Sequence, residues 1–289
     1  MLVKATYKDI DTYGEFVYSI ALDLSRSSYP TYADGISEKE EFFQNLRKGI
    51  ERENYELLLY FSENRMEGFI SYYWLEEDQY LQLFSCNINS GTKQALEELV
   101  AHLEEKFNEY EWYFGFPKSN TEAVDFLEKN GFLCIEDDYD TNIDFANYER
   151  KEDSDRVVPV TKENFEDFRS IHSQDEEDTY WTSERIYEKL NAWGVYSYYE
   201  DDVSKGVMYF TGDEEYLEIF GIDYKDRVYR EDIFSALMIT ALNEGKRKGI
   251  KYMTYFCDDE VEAVQKLGFR LVSPYVCYCR KPLVDAGHK

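Results

Sequence analysis

The sequence predicts an α+β protein built from two tandem copies of one mixed-sheet domain. Three observations carry this reading. At 289 residues the chain exceeds the usual single-domain size of about 100–200 residues. The order of its elements runs once and then restarts near residue 157: strand, two helices, three period-2 segments, a long amphipathic helix, a strand, a short helix, closing strands. Finally, Thr121-Glu-Ala-Val124 leading to Lys129-Asn-Gly-Phe132 is echoed by Val261-Glu-Ala-Val264 leading to Lys266-Leu-Gly-Phe269. The two Gly-Phe pairs lie 268 − 131 = 137 residues apart, far beyond solenoid periods, so the echo marks a tandem domain rather than a repeat array.

In the first half, Leu2 to Tyr7 is an opening strand. Asp9 or Asp11 can cap a helix with Ile10, Tyr13, Phe16, Val17, Ile20, Ala21 and Leu24 on its apolar face. Ser25 to Gly35 reads as a loop, and Ser37-Glu-Lys-Glu40 opens a second helix that ends before Asn54. The period then changes to 2 through Glu56 to Phe61, Gly68 to Leu75 and Gln79 to Ile88, an antiparallel meander broken at Ser62 to Arg65 and Glu76 to Asp78. Gly91 to Asn108 returns to helical spacing and Glu111 to Phe116 is a strand. The helix Thr121 to Asn130 stops at Gly131, and Phe132 to Ile135 and Thr141 to Phe145 close the domain.

The charged, aperiodic segment 147–156 reads as a linker between an N-terminal domain, 1–146, and a C-terminal domain, 157–289. The second copy runs through a strand at Val157 to Val160 and helices at Glu163 to His172 and Ser183 to Trp193. Its meander is Val195 to Glu200, Gly206 to Thr211 and Tyr216 to Asp223. The long helix Ile233 to Lys248 carries Ile233, Phe234, Leu237, Met238, Ala241 and Leu242 on one side. Lys251 to Cys257, Val261 to Leu267 and Phe269 to Arg280 finish the unit.

The charge, 32 − 60 = −28, argues against nucleic-acid partners, whose phosphates would be repelled, and favours either a hydrated surface or attraction of cationic amines. No apolar run approaches the ~20 residues of a membrane span, and the N-terminal residues lack a signal-peptide apolar core, so a cytoplasmic protein is expected. Five scattered cysteines without Cys-x-x-Cys, and only His102, His172 and His288, support neither a disulfide framework nor a zinc site. Cys277 and Cys279 share one face of a strand as buried thiols.

This element order, with Lys-x-Gly-Phe closing the last helix, resembles the GNAT acyltransferase superfamily, twice over. The resemblance implies that acetyl-CoA lies in a V between the last meander strand and the strand after the long helix. Its pyrophosphate would sit on an Arg/Gln-x-x-Gly-x-Gly/Ala loop at the helix N-terminus, where backbone N–H groups and the helix dipole favour anions. In the second copy that places Ile222, Tyr224, Arg227, Arg230, Ile233 and Phe234 along the cofactor. The register puts Tyr229-Arg-Glu-Asp-Ile-Phe234 on the motif, with Asp232 and Phe234 at its glycine positions; Glu231 and Asp232 read instead as helix caps, and Arg227 and Arg230 as a cationic rim. In the first copy the loop is shorter, Asn87 to Lys93, with one glycine.

The same resemblance implies a general base at Glu218, on Tyr216-Leu-Glu-Ile-Phe220, where the first copy has Gln82, which cannot titrate. The tyrosine that protonates the leaving thiolate in family members is replaced by Leu127 and Val264, with Tyr224, Tyr229, Tyr252 and Tyr255 as nearby substitutes. Two functions follow. One is N-acetyl transfer from acetyl-CoA to a primary amine of a small molecule or peptide by the C-terminal domain, the N-terminal domain being structural. The other is a catalytically degenerate GNAT-fold module that binds a ligand or partner. A homodimer is compatible with either.

Overall fold

The computed structural model describes residues 1–28, 39–174 and 180–282. Contacts divide the chain into two compact units: Met1–Tyr139 together with the segment from Ser273 onward, and Asp140–Val272.

The first unit contains β1 (Leu2–Lys4), α1 (Tyr7–Ala21), α2 (Lys39–Ile50), β2 (Tyr55–Ser62), β3 (Arg65–Leu75), β4 (Tyr80–Ile88), α3 (Thr92–Phe107), β5 (Glu111–Pro117) and α4 (Thr121–Lys129). α1 starts at Thr6, whose N–H and hydroxyl both donate to Asp9, so the expected acidic cap acts from the first turn. β2 and β3 join through Glu63 and Asn64, both at positive φ, as a two-residue hairpin of matching twist requires. The sheet order is β1-β2-β3-β4-β5, and β5 then pairs antiparallel with Tyr275–Arg280 of β12 (Arg270–Arg280). One face packs on α3 and α4 through Tyr72, Leu96, Leu99, Phe114 and Tyr278; the other packs on α1 and α2 through Ile10, Val17, Leu46 and Phe69. Each such side chain contributes about 1.5–3 kcal/mol by leaving water.

β6 (Leu133–Asp144) is one strand where two were expected, and its residues from 140 onward belong to the second unit. That unit continues with β7 (Val157–Pro159), α5 (Phe165–His172), α6 (Ser183–Glu188), β8 (Gly194–Glu200), β9 (Val203–Gly212), β10 (Tyr216–Tyr224), α7 (Glu231–Lys248), β11 (Tyr252–Cys257) and α8 (Val261–Leu267). Its sheet order is β6-β11-β10-β9-β8-β7. The hairpin residues Asp201 and Asp202 repeat the positive φ of Glu63 and Asn64. α7 and α8 cover one face with Phe234, Leu237, Met238 and Val264, and α5 and α6 cover the other with Phe165, Phe168 and Ile186.

The division differs from the expected boundaries in two ways. The strand expected to close the first domain, Thr141 to Phe145, completes the second: Thr141 donates to the Tyr255 carbonyl and the Phe145 N–H to that of Lys251. Residues 275–280, expected in the second domain, complete the first. Nor is 147–156 a free linker. Buried Asn243 of α7 donates to the Lys151 carbonyl and to Asp153, and accepts from the Tyr148 hydroxyl and the Lys151 N–H. The expected helix start at Ser37 and the acidic run Asp175 to Asp178 lie outside the described residues. Among the described residues no helix is long and apolar enough to cross a membrane.

Candidate functional site

In both units the central parallel strands stay paired only briefly. β4 pairs with β5 over Tyr80–Gln82 and Glu111–Tyr113, and β10 with β11 over Tyr216–Ile219 and Tyr252–Tyr255. Beyond these pairs β4 and β10 run on along their meander partners β3 and β9 without β5 and β11, and a V opens. Each departing strand carries one unmatched residue against its meander neighbour at that point: Phe84 between Leu83 and Ser85, and Phe220 between Ile219 and Gly221. Such bulges bend a strand and re-aim its side chains.

In the first unit the edge of β4 is occupied by the chain itself. The Ile88 N–H donates to the Arg26 carbonyl at 3.0 Å, the Cys86 N–H to Ser28 Oγ at 2.6 Å, and Asn120 Nδ2 to the Ser27 carbonyl at 3.0 Å. Arg26 is anchored by Asp23 and Asn89, and Ser27 and Ser28 are fully buried. A ligand lying along β4 would have to displace this strap.

In the second unit Glu218 is half-buried, one pair before the strands part, and accepts from the Tyr216 hydroxyl at 3.0 Å. It stands opposite Thr211, whose hydroxyl reaches the Ala192 carbonyl at 2.8 Å; Glu218 therefore faces the α5/α6 side of the sheet, away from the core of Leu217 and Ile219. On that side Phe220, 37% exposed, meets Trp193 at 5.2 Å and Trp181 at 6.1 Å, and the two tryptophans meet at 4.8 Å. A half-buried carboxylate two residues from the exposed ring of Phe220 suits an organic cation. The two tryptophans carried no motif and were missed in the sequence; only Phe220 stood beside Glu218.

The residues expected along the cofactor are separated from Glu218. Ile222 and Tyr224 lie on the opposite face of β10, packed against the core, and Ile233 and Phe234 are wholly buried in it. Tyr224, Tyr229, Phe234 and Tyr255 form a chain of ring contacts at 6.0, 5.7 and 6.2 Å that bridges β10, the first turn of α7 and β11. Arg227, at φ 52°, donates to the Gln174 carbonyl. Arg230 is the N-cap residue of α7 and binds two carboxylates at once, Glu200 at 2.9 and 2.7 Å and Asp232 at 3.1 and 2.6 Å. These bonds, and then the N–H groups of Ile233 and of Asp232 itself, hold the Asp232 carboxyl below its ordinary range. Glu260, raised by burial, adds another acidic group near Tyr224 and Tyr229.

Acetyl-CoA therefore fits poorly. A pyrophosphate needs free N–H groups, close backbone and cations at this helix start. Here Glu231 and Asp232 put two carboxylates in the first turn of α7, Phe234 occupies a glycine position, and Arg230 is already neutralised. Of the tyrosines near the V, Tyr224 has a buried hydroxyl without a hydrogen-bond partner among the described residues, while Tyr255 is a core residue. Elsewhere in this unit an open pocket of about 420 Å³ is lined by Asn142, Asp144, Lys151 and Arg270 among others, none of them an expected site residue.

Parallel strands that part beside a long helix, twice in one chain, define the GNAT acyltransferase fold. Solved structures agree. A GCN5-related N-acetyltransferase from Sphaerobacter thermophilus matches with a TM-score of 0.59 at 12% identity, over 97% of this chain and 95% of its own. A tandem GNAT protein from the clavulanic acid biosynthesis pathway, in its form without acetyl-CoA, matches with a TM-score of 0.54 at 12% identity, over 100% and 99%. A GCN5-related N-acetyltransferase from Kribbella flavida matches with a TM-score of 0.50 at 13% identity, over 76% and 87%. No family model matches the sequence, and neither does any curated protein. At these identities the likeness establishes the tandem fold, and function has to be argued from the site.

Proposed function

We propose that this chain is an amine-binding protein on a degenerate acyltransferase scaffold, its site being the Glu218 side of the C-terminal unit. The observation that carries the proposal is the Glu200–Arg230–Asp232 knot, which fills the place a pyrophosphate would take while leaving Glu218, Trp181, Trp193 and Phe220 grouped about the acceptor side. The N-terminal unit, strapped along β4, is structural. A net charge of −28 draws cations toward the molecule. The ligand class is a cationic small molecule or peptide amine, and the setting the cytoplasm, where the free cysteines stay reduced.

A second reading, N-acetyl transfer from acetyl-CoA to such an amine, is favoured by one observation: Glu218 stands one pair before the V, where it could take the proton of an ammonium acceptor. Isothermal titration separates the two. Heat with tryptamine or spermidine and none with acetyl-CoA at high micromolar protein is the expected result. Tight acetyl-CoA binding would overturn the first reading in favour of the second, and silence with all three ligands would remove both.

A further inference from the structure

His172 closes α5 and is 3% exposed. Its Nδ1 lies 2.7 Å from Oδ2 of Asp223 on β10, and its Nε2 lies 2.8 Å from the carbonyl oxygen of Trp181. Phe168 stacks on the ring at 5.0 Å and 27°, and Tyr209 of β9 meets it edge-on at 4.7 Å and 66°. Three separate segments are thus joined through one imidazole.

Both oxygens that face the ring are acceptors. A neutral imidazole has a single N–H, so one nitrogen would point a lone pair at an oxygen; the imidazolium donates to both. Among the described residues the titratable groups facing it are Asp223 from β10 and Tyr209 from β9, whose hydroxyl is pushed well up by burial and then by the Asp223 charge. Trp181 offers only its carbonyl here, and Phe168 its ring. Burial opposes charging the ring, while a carboxylate at 2.7 Å and a second acceptor favour it.

The two ends of this bridge matter for the site. Trp181 belongs to the aromatic wall with Trp193 and Phe220, and Asp223 lies on β10 just past the Phe220 bulge. We propose that His172 is the positioning residue of this site, a proton-dependent latch. As imidazolium it holds the Trp181 segment to β10; on losing its proton it gives up one of the two bonds, and the wall loosens. The functional meaning rests on the amine-site reading, but the latch can be tested without any ligand.

The full chain, labelled with ¹⁵N in histidine and tryptophan, is titrated by NMR from pH 5.5 to 9. Both His172 ring nitrogens should be protonated at the low end, and the Trp181 indole signal, identified by its loss in Trp181→Phe, should move with the midpoint of His172. The Trp74 and Trp112 signals should not follow it. Asp223→Asn should lower the midpoint by about one pH unit, the scale of a lost close ion pair. A His172 ring neutral throughout, or a Trp181 signal indifferent to its titration, would overturn the proposal; the wild-type titration decides even if a variant misfolds. In parallel, tryptamine affinity should fall severalfold across the same range in wild type and stay flat in His172→Gln. If tryptamine never binds, the amine reading fails while the NMR titration still judges the latch.

Discussion

Glu56 shows how a single buried charge can be made to stabilise a fold. Burial alone would raise its carboxyl, but hydrogen bonds from Tyr72 and His102 and the Lys106 ammonium outweigh this and hold it below its ordinary value. A carboxyl depressed in the folded state contributes stability above its unfolded value of about 4.3 and loses it as the pH falls through the folded value. Glu56→Gln should therefore cost about 1–3 kcal/mol at pH 7 in urea unfolding, with the gap to wild type closing below about pH 4. A gap constant from pH 3 to 7 would show that the charge does not matter. Residues of this kind were only partly legible in the sequence. Glu218 stands out only because its strand resembles the one that carries a glutamate in the GNAT superfamily. His172 and Asp223, 51 residues apart, share no period, and only the fold brings them within 2.7 Å.

Among the elements, the strands and long helices followed from period and caps: β10 and α7 lie within one or two residues of their expected bounds, and Gly249, at φ 77°, ends α7 as a left-handed stop should. Short elements were less legible. The helix expected over Ser183 to Trp193 is α6 followed by a 3₁₀ turn at Leu190–Ala192, and α1 ends at Ala21 rather than Leu24. The strap at Arg26–Ser28 read simply as loop, because its role depends on the β4 edge it meets. Ser28→Ala would leave the buried Cys86 N–H without its acceptor. We expect a loss of about 1–3 kcal/mol, with faster amide exchange at Cys86; unchanged exchange there would mean that the strap does not hold the edge.

For the molecule as a whole, −28 charges on 289 residues imply self-repulsion that salt should relieve. Raising NaCl from 10 to 200 mM shortens the screening length from about 30 Å to below 10 Å, so the melting temperature should rise, by several degrees on the scale of about 1 kcal/mol. A flat or falling curve would show that the charges are locally compensated. The tandem architecture was legible from the restart of elements and the 137-residue echo, whereas the exchange of closing strands was not: a strand's pattern says which face is buried, not which neighbour it pairs with.

That exchange carries a consequence for synthesis. Ribosomes deliver the chain from its N-terminus, yet the strand that covers the β5 edge of the first unit is residues 275–280. Until those residues emerge, β5 presents an open hydrogen-bonding edge beside the aromatic core that Val276 and Tyr278 will later seal. The usual order of assembly, in which an early domain finishes before a later one begins, is closed to this protein, and its first half must wait in the cell as an unfinished sheet for its last strand to arrive.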